Sequence, residues 1–322
     1  MARNIKISNS ACRIPRYEDL ITTREQTRAG FIAFALEKNR RSTPLIESAK
    51  AFRHLAARAK TAKELLSIPE IRPALLTAAG LSDKALNYFD EPAKNIAINE
   101  LIKNFLEPAG EHFIDEAVYR YLLIKGDALG GMMRNIIGKL AQQKLIRALL
   151  SNLSVSGITY QWIGNQKNCW QQGTQNDFQV EETLKALSWK NTAGQNRVLA
   201  LNLKLPIVGK NIDICLFDTG KENYKASRTA ATKAIMLGEL KGGIDPAGAD
   251  EHYKTGSHAL DRIRTAFAKK KLPIQTSFVA AAIEREMASE IFDQLRTKKL
   301  TYAANLTIDS QVVNYCAWLL QL

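Results

Sequence analysis

The chain has 322 residues, enough to bury a sizeable core in one large domain or two. Its hydrophobic fraction of 46% and charged fraction of 24% are those of an ordinary globular protein. Lys and Arg outnumber Asp and Glu by 45 to 32, a net charge of +13 that suits either a merely soluble basic protein or one with a polyanionic partner. Of such partners nucleic acid is favoured over membrane, because no amphipathic basic tail is evident.

No apolar run approaches the roughly 20 residues of a bilayer span, and residues 1–15 lack the apolar core of a signal peptide. A cytoplasmic location is the expectation. Cys12, Cys169, Cys215 and Cys316 are scattered and form no Cys-x-x-Cys pair, which argues against zinc ribbons and disulfide frameworks. Cys215, between Ile214 and Leu216, reads as a small buried hydrophobe. The basic excess is uneven: residues 1–60 hold 13 Lys+Arg and 5 Asp+Glu, and residues 125–172 hold 6 and 1.

In chain order, 24–41 reads as a helix ended by Ser42-Thr43-Pro44, and 44–60 as the next. Ser82 suits an N-cap for a short helix through Lys84 and Leu86. Helices follow at 95–106 and 109–124, the latter with Phe113, Ala117, Tyr121 and Ile124 on one stripe. The helix at 130–152 repeats Asn135, Lys139, Gln143 and Arg147 every fourth residue. That stripe suits a solvated face or a phosphate-backbone contact; Lys139 and Arg147 on it, and Arg134 beside it, are the candidate cations. After Leu153 the texture changes. Strands are expected at 157–163, 198–205, 211–217, 235–241 and 276–283, with a loop at 164–177 and helices at 246–270 and 288–296. The expected architecture is a helical half followed by an α/β half with a mixed sheet.

Two of these strands carry charge where burial is expected. Asp213 interrupts Ile212, Ile214, Leu216 and Phe217, and Glu239 and Lys241 share one face of 235–241 by the period-two rule. Burying such groups costs several kcal/mol unless they pair or bind a cation. The simple alternative is an ion pair between Glu239 and Lys241 at a sheet end. The chemical reading is a metal-dependent phosphodiesterase. Asp213 and Glu239 with the Leu240 carbonyl would hold Mg²⁺, which needs only one or two carboxylates plus substrate oxygens. Lys241 would orient water, stabilise developing charge or take a proton.

The turn Gly242-Gly243-Ile244-Asp245-Pro246 leads into a helix, with Asp245 as N-cap and Pro246 at its first position. It fits neither Gly-x-Gly-x-x-Gly nor the P-loop pattern. His252, two turns along, suits either an auxiliary acid or base at the same phosphate or a surface pair with Asp250 or Glu251. No Gly-x-Ser-x-Gly exists, and His54, His112 and His258 lack zinc-ligand spacing.

Asp213…Glu239-Leu240-Lys241 resembles the Asp…(Asp/Glu)-x-Lys site of the type II restriction endonuclease core, with Ile212 where proline often stands. Residues 28–38, 104–110, 133–136, 141–145, 238–252 and 303–307 resemble the AvaI/BsoBI restriction enzymes, so the resemblance spans nearly the whole chain. It implies a restriction-endonuclease-like α/β core, a mixed sheet flanked by helices, over 153–322, and a mainly helical DNA-embracing region over 1–152. It also implies a Mg²⁺-dependent homodimer that cuts double-stranded DNA at the palindrome CYCGRG after the first C, leaving 5′ overhangs. Asp213, Glu239 and Lys241 are implied as the catalytic set, with His252 as an additional active-site residue. Lys84 and Asp245 match residues near the degenerate base pair, and a lysine can read the N7 acceptor common to A and G. Residues 164–197 and 218–232 depart from the family and carry no assignment. A structure-specific or repair nuclease on the same core, and a DNA-binding protein with structural carboxylates, are the alternatives.

Overall fold

In a computed structural model, which describes residues 14–165, 169–174, 177 and 179–322, eight strands form one sheet in the order β2-β1-β3-β4-β5-β6-β7-β8. The strands are β1 (Tyr160–Gly164), β2 (Gln171–Gln172), β3 (Leu184–Lys190), β4 (Asn196–Leu205), β5 (Lys210–Phe217), β6 (Ala234–Lys241), β7 (Gln275–Ala280) and β8 (Tyr302–Asn305). Pairing is antiparallel from β2 through to β6 and parallel across β6-β7-β8. This is the mixed sheet expected of the α/β half. The helices are α1 (Arg24–Ala56), α2 (Arg72–Ala78), α3 (Asp83–Leu86), α4 (Glu91–Leu101), α5 (Phe113–Val155), α6 (Val180–Thr183), α7 (Tyr224–Ser227), α8 (Pro246–Lys269), α9 (Arg285–Arg296) and α10 (Asp309–Gln321). Cys12 and the first 13 residues, with part of the 164–177 segment, lie outside the described residues.

The chain forms two compact units, residues 32–136 and residues 1–31 with 137–322. In the first, Phe52, Leu65, Leu75, Ile98, Leu106 and Tyr121 share one apolar core. In the second, the sheet is covered on both faces. Leu145, Leu149 and Leu153 of α5 pack with Tyr315, Trp318 and Leu319 of α10 against Leu216 and Met236. On the other face Tyr253, Leu260, Ile263 and Phe267 of α8 and Ile291 of α9 pack with Cys215, Phe217, Leu237 and Phe278. Cys215 is fully buried, as expected, and burial pushes its thiol pKa up. Because α5 buries its last turns in the sheet core, the unit limit falls inside that helix, ahead of the change of texture near 153.

Pro44 does not end a helix: α1 runs through it. The Ser42 and Thr43 hydroxyls both donate to the Asn39 carbonyl nearby (2.8 and 3.4 Å), and burial of Ala49, Phe52 and Ala56 beyond the proline holds the continuation of the helix against its cost. The helices expected at 109–124 and 130–152 are one, α5, which passes through Gly126, Gly130 and Gly131. Each glycine costs about 1 kcal/mol relative to alanine, and burial of Tyr121, Leu129 and Met133 outweighs it. The helix expected at 95–106 starts earlier, because Asp90 caps it by accepting from Ala93 N–H (2.9 Å), and ends in a wider turn over Ile102–Leu106.

One buried knot fixes the chain's entry to α1. Thr22 Oγ1 donates to the Ala281 carbonyl (2.8 Å) and accepts from Ile283 N–H and Asn305 Nδ2 (2.9 Å each). The same amide donates to the Leu20 carbonyl (2.8 Å). These bonds tie residues 20–22 to the carboxyl ends of β7 and β8.

Candidate active site

Strands β5 and β6 lie side by side, and their ladder ends at the pair Ile214 and Gly238. One step further along the same register, Asp213 stands opposite Glu239. Both project to the face covered by α8, in step with Cys215 and Leu237. Where the ladder stops, Asp213 Oδ2 replaces a main-chain acceptor and takes a hydrogen bond from Leu240 N–H (2.9 Å). Glu239 is 7% exposed, and its Oε1 accepts from Lys241 Nζ at 2.6 Å. The structure thus brings Asp213, Glu239 and Lys241 together, and it also forms the Glu239–Lys241 ion pair that was the simpler reading of those two residues.

The electrostatics are those of too much negative charge in too little water. Burial raises the Asp213 carboxyl above the ordinary range, against the Leu240 N–H bond and the Lys241 charge. Burial, then the Asp213 charge, raises Glu239, with Lys241 and Arg262 opposing. One lysine cannot neutralise two carboxylates. Asp213 Oδ1 and Glu239 Oε2 have no donor among the described residues and are not sealed from solvent. A hard cation fits that donor set. No group of three or more His, Cys, Asp or Glu side chains suited to a metal occurs among the described residues. A cation here would therefore rest on these two carboxylates plus main-chain and substrate oxygens. The Leu240 carbonyl is suitably aimed. Lys241 O accepts from Ala281 N–H on the β7 side (2.9 Å), and alternation along the strand turns both main-chain groups of Leu240 toward β5.

Beyond β6 the chain needs its glycines. A Cβ on Gly242 would lie 2.8 Å from the Ile137 carbonyl and 2.6 Å from Ala141 Cβ, so α5 and the turn touch at the main chain. Asp245 then caps α8, as expected, by accepting from Ala247 N–H (3.0 Å). Further along, a Cβ on Gly256 would meet Phe278 Cε2 at 2.8 Å, Lys241 Cε at 3.4 Å and Glu239 Cγ at 3.5 Å. Gly256 is what lets α8 close over the site. An isolated glycine inside a helical run is the signal that could have marked it.

His252 is exposed at the start of α8, with Nε2 and Cδ2 turned toward Gly243 and Gly248. It makes no surface pair with Asp250 or Glu251; Asp250 is held instead by Lys254 (2.5 Å). Lys84 is exposed on α3, which Ser82 caps by accepting from Ala85 N–H (3.2 Å). Arg134 and Lys139 are exposed on α5. Arg147 is already engaged by Glu181 and the Asp177 carbonyl, which a phosphate would have to displace.

Comparison with known proteins settles the class. A family profile described as "Restriction endonuclease BsobI" matches residues 12–322. The type II restriction enzyme BsoBI of Geobacillus stearothermophilus is 51% identical over 310 residues, covering 95% of this chain and 96% of that one. The type II restriction enzymes AvaI of Nostoc sp. strain PCC 7120 and of Anabaena variabilis are each 48% identical over 306 residues, covering 95% of this chain and 97% of theirs. The protein is a type II restriction endonuclease, a DNA-binding hydrolase. Within that class, the chain belongs to the BsoBI/AvaI family. The repair-nuclease and non-catalytic alternatives fall away. No helix among the described residues is long and apolar enough to cross a membrane.

Proposed function

We propose that the enzyme acts as a homodimer on double-stranded DNA at CYCGRG, cutting after the first C by Mg²⁺-dependent hydrolysis to leave 5′ overhangs. The observation that carries the chemistry is the pairing of β5 with β6, which sets Asp213 against Glu239 and Lys241 at the frayed end of the ladder. Asp213, Glu239 and the Leu240 carbonyl are the proposed Mg²⁺ ligands. When bound, the ion would supply charge neutralisation and Lewis-acid polarisation of the scissile phosphate. Lys241 holds its ammonium beside Glu239 and stabilises the charge that develops on phosphorus oxygens, or orients the attacking water. Water adds to phosphorus as the bond to the 3′ oxygen breaks, giving a 5′-phosphate and a 3′-hydroxyl. His252, unpaired at the same turn, is proposed as an auxiliary acid or base.

The degenerate base pair is assigned to Lys84 and Asp245. Asp245 already spends one oxygen on the α8 cap, which fixes its direction for a base edge. Arg134 and Lys139 are proposed to hold the DNA backbone from the helical region, which is assigned to 1–152, with the catalytic core at 153–322. A twofold-symmetric recognition site argues for a second copy, since a dimer presents one active site to each strand.

The test is digestion of a random-sequence plasmid library with Mg²⁺, followed by mapping of the ends. Ends confined to C/YCGRG are expected. Cuts at another sequence would overturn the site assignment, and undiminished cutting by Lys241→Ala would overturn the catalytic one.

A further inference from the structure

We propose that Thr22 is a positioning residue of the hydrolytic reaction, its hydroxyl setting the end of β6 that carries Lys241. The inference rests on the placement of hydrolysis at Asp213, Glu239 and Lys241. The ladder from β6 to β5 stops at Gly238, and the main chain of Lys241 pairs toward β7. Its last rung is the bond that the Lys241 carbonyl accepts from Ala281 N–H (2.9 Å). Ala281 lies one residue past the end of β7, and its own carbonyl accepts from Thr22 Oγ1 (2.8 Å). A single residue thus stands between the Thr22 hydroxyl and the main chain of the lysine. That hydroxyl has no bonding capacity to spare, since it also accepts from Ile283 N–H and Asn305 Nδ2. Thr22 is 8% exposed and Asn305 is fully buried, so removing the hydroxyl leaves buried groups unpaired where β6 is held.

A second route runs through α1. Thr23 caps that helix reciprocally: its Oγ1 accepts from Gln26 N–H (3.2 Å) and its N–H donates to Gln26 Oε1 (2.8 Å). The helix therefore takes its direction from the residue next to Thr22. Further along α1, a Cβ on Gly30 would run into Ile244 Cγ1 and lie 3.1 Å from Ile244 Cβ. The main chain of α1 rests on the turn that joins Lys241 to Asp245. Thr22 accordingly governs two supports of residues 241–244, the last rung of β6 through Ala281 and the helix pressed on Ile244. It belongs to neither apolar core of the sheet, and its bonds go to the carboxyl ends of β7 and β8.

The experiment compares Thr22→Val, which keeps the shape and removes the hydroxyl, with Thr22→Ser, which keeps the hydroxyl, in the full-length enzyme. Each is measured for single-turnover cleavage of a CYCGRG duplex by saturating enzyme in Mg²⁺, for binding to that duplex in Ca²⁺, and for melting temperature. Rates are taken well below each melting temperature. A displacement near 1 Å remote from the chemistry can cost about 10²-fold, so Thr22→Val should slow the cleavage step by about 10- to 100-fold. Its Ca²⁺-supported binding should change by less than about 3-fold, and Thr22→Ser should cut within about 3-fold of the wild type. A purely stabilising role would lower the melting temperature of Thr22→Val and leave its cleavage rate unchanged, and that result would overturn the assignment. If Thr22→Val does not fold, Thr22→Cys, with its longer bond and weaker donor, takes its place in the same comparison. Gly30→Ala favours the helix and spares the buried bonds. It should slow cleavage with binding unchanged, and an undiminished rate would overturn the route through α1. Undiminished cutting by Lys241→Ala would overturn the hydrolytic placement itself, whereas an inactive Lys241→Ala beside a full-rate Thr22→Val overturns Thr22 alone.

Discussion

Replacing Glu239 by Gln should stabilise the metal-free enzyme while abolishing its response to Mg²⁺. Directly opposed strand residues have Cβ atoms about 5 Å apart, and at an effective dielectric near 20 two carboxylates at that distance repel by about 3 kcal/mol. Lys241 compensates only one of them, and Glu239 is nearly sealed from water. Gln keeps an oxygen to accept from Lys241 Nζ but removes the charge that burial and Asp213 disfavour. Neutralising a buried ionic cluster is commonly neutral or stabilising, and about 1 kcal/mol is expected, or ~2 °C in a chain of this length. Mg²⁺ at 100-fold over its dissociation constant should add about 2.7 kcal/mol to the wild type and little to the variant, so their order of stability reverses. The pH dependence has a definite sign. The folded Glu239 carboxyl titrates above its ordinary value. Its contribution is therefore fully present below the ordinary carboxylate range and is lost as pH rises through the folded pKa. Thermal melts of both proteins from pH 4 to 8, with chelator and then with Mg²⁺, read all of this. A variant that melts lower than wild type at every pH in chelator, or that keeps the full Mg²⁺ shift, would refute the reasoning.

Lys241→Ala should lower single-turnover cleavage by at least about 10²-fold while Ca²⁺-supported binding to the duplex changes only a few-fold, as quench assays and gel shifts would show. Gly242→Ala should destabilise the fold by about 1–3 kcal/mol, since the added methyl meets the Ile137 carbonyl, a main-chain atom that cannot rotate away; a denaturant melt indistinguishable from wild type would contradict that contact. If about 10 phosphates are neutralised, the log–log salt slope of duplex binding should lie near −9, and a slope near −2 would leave the net charge of +13 without that use.

How much of this was legible in the sequence depends on what burial penalises. Asp213 and Glu239 stand out because charge in an apolar strand is costly, and Ser82 and Asp245 because caps follow simple chemistry; each sits where that reasoning put it. β3 (Leu-Lys-Ala-Leu-Ser-Trp-Lys) and β8 (Tyr-Ala-Ala-Asn) are not legible, because Ala, Lys and Ser have weak strand preference and are held by ladders on neighbouring strands. Pro44 and the α5 glycines mislead for the same reason in reverse: tertiary burial and side-chain bonds override local breakers. Gly256 matters through the packing of α8 on β6, and only its isolation inside a helical run hints at that contact.

The frayed end of the β5–β6 ladder also decides what Asp213 does for the fold. Main-chain pairing stops at Ile214 and Gly238, yet Leu240 N–H is not left unpaired, because the Asp213 carboxylate takes it at 2.9 Å. The opening that exposes the Leu240 carbonyl toward β5 would otherwise leave a half-buried donor unsatisfied, a cost of about 1–3 kcal/mol. Asp213→Asn and Asp213→Ala should therefore both be inactive but differ in stability. Asn can still accept from Leu240 N–H and relieves the same repulsion that Glu239→Gln relieves, so it should melt at or up to about 1 kcal/mol above the metal-free wild type, whereas Ala, which loses the acceptor, should lie about 1–2 kcal/mol below Asn. Equal destabilisation of the two would mean that the carboxylate does not stand in for the missing rung. The predicted difference would instead show that the Asp213 side chain stands in for the missing rung of the ladder.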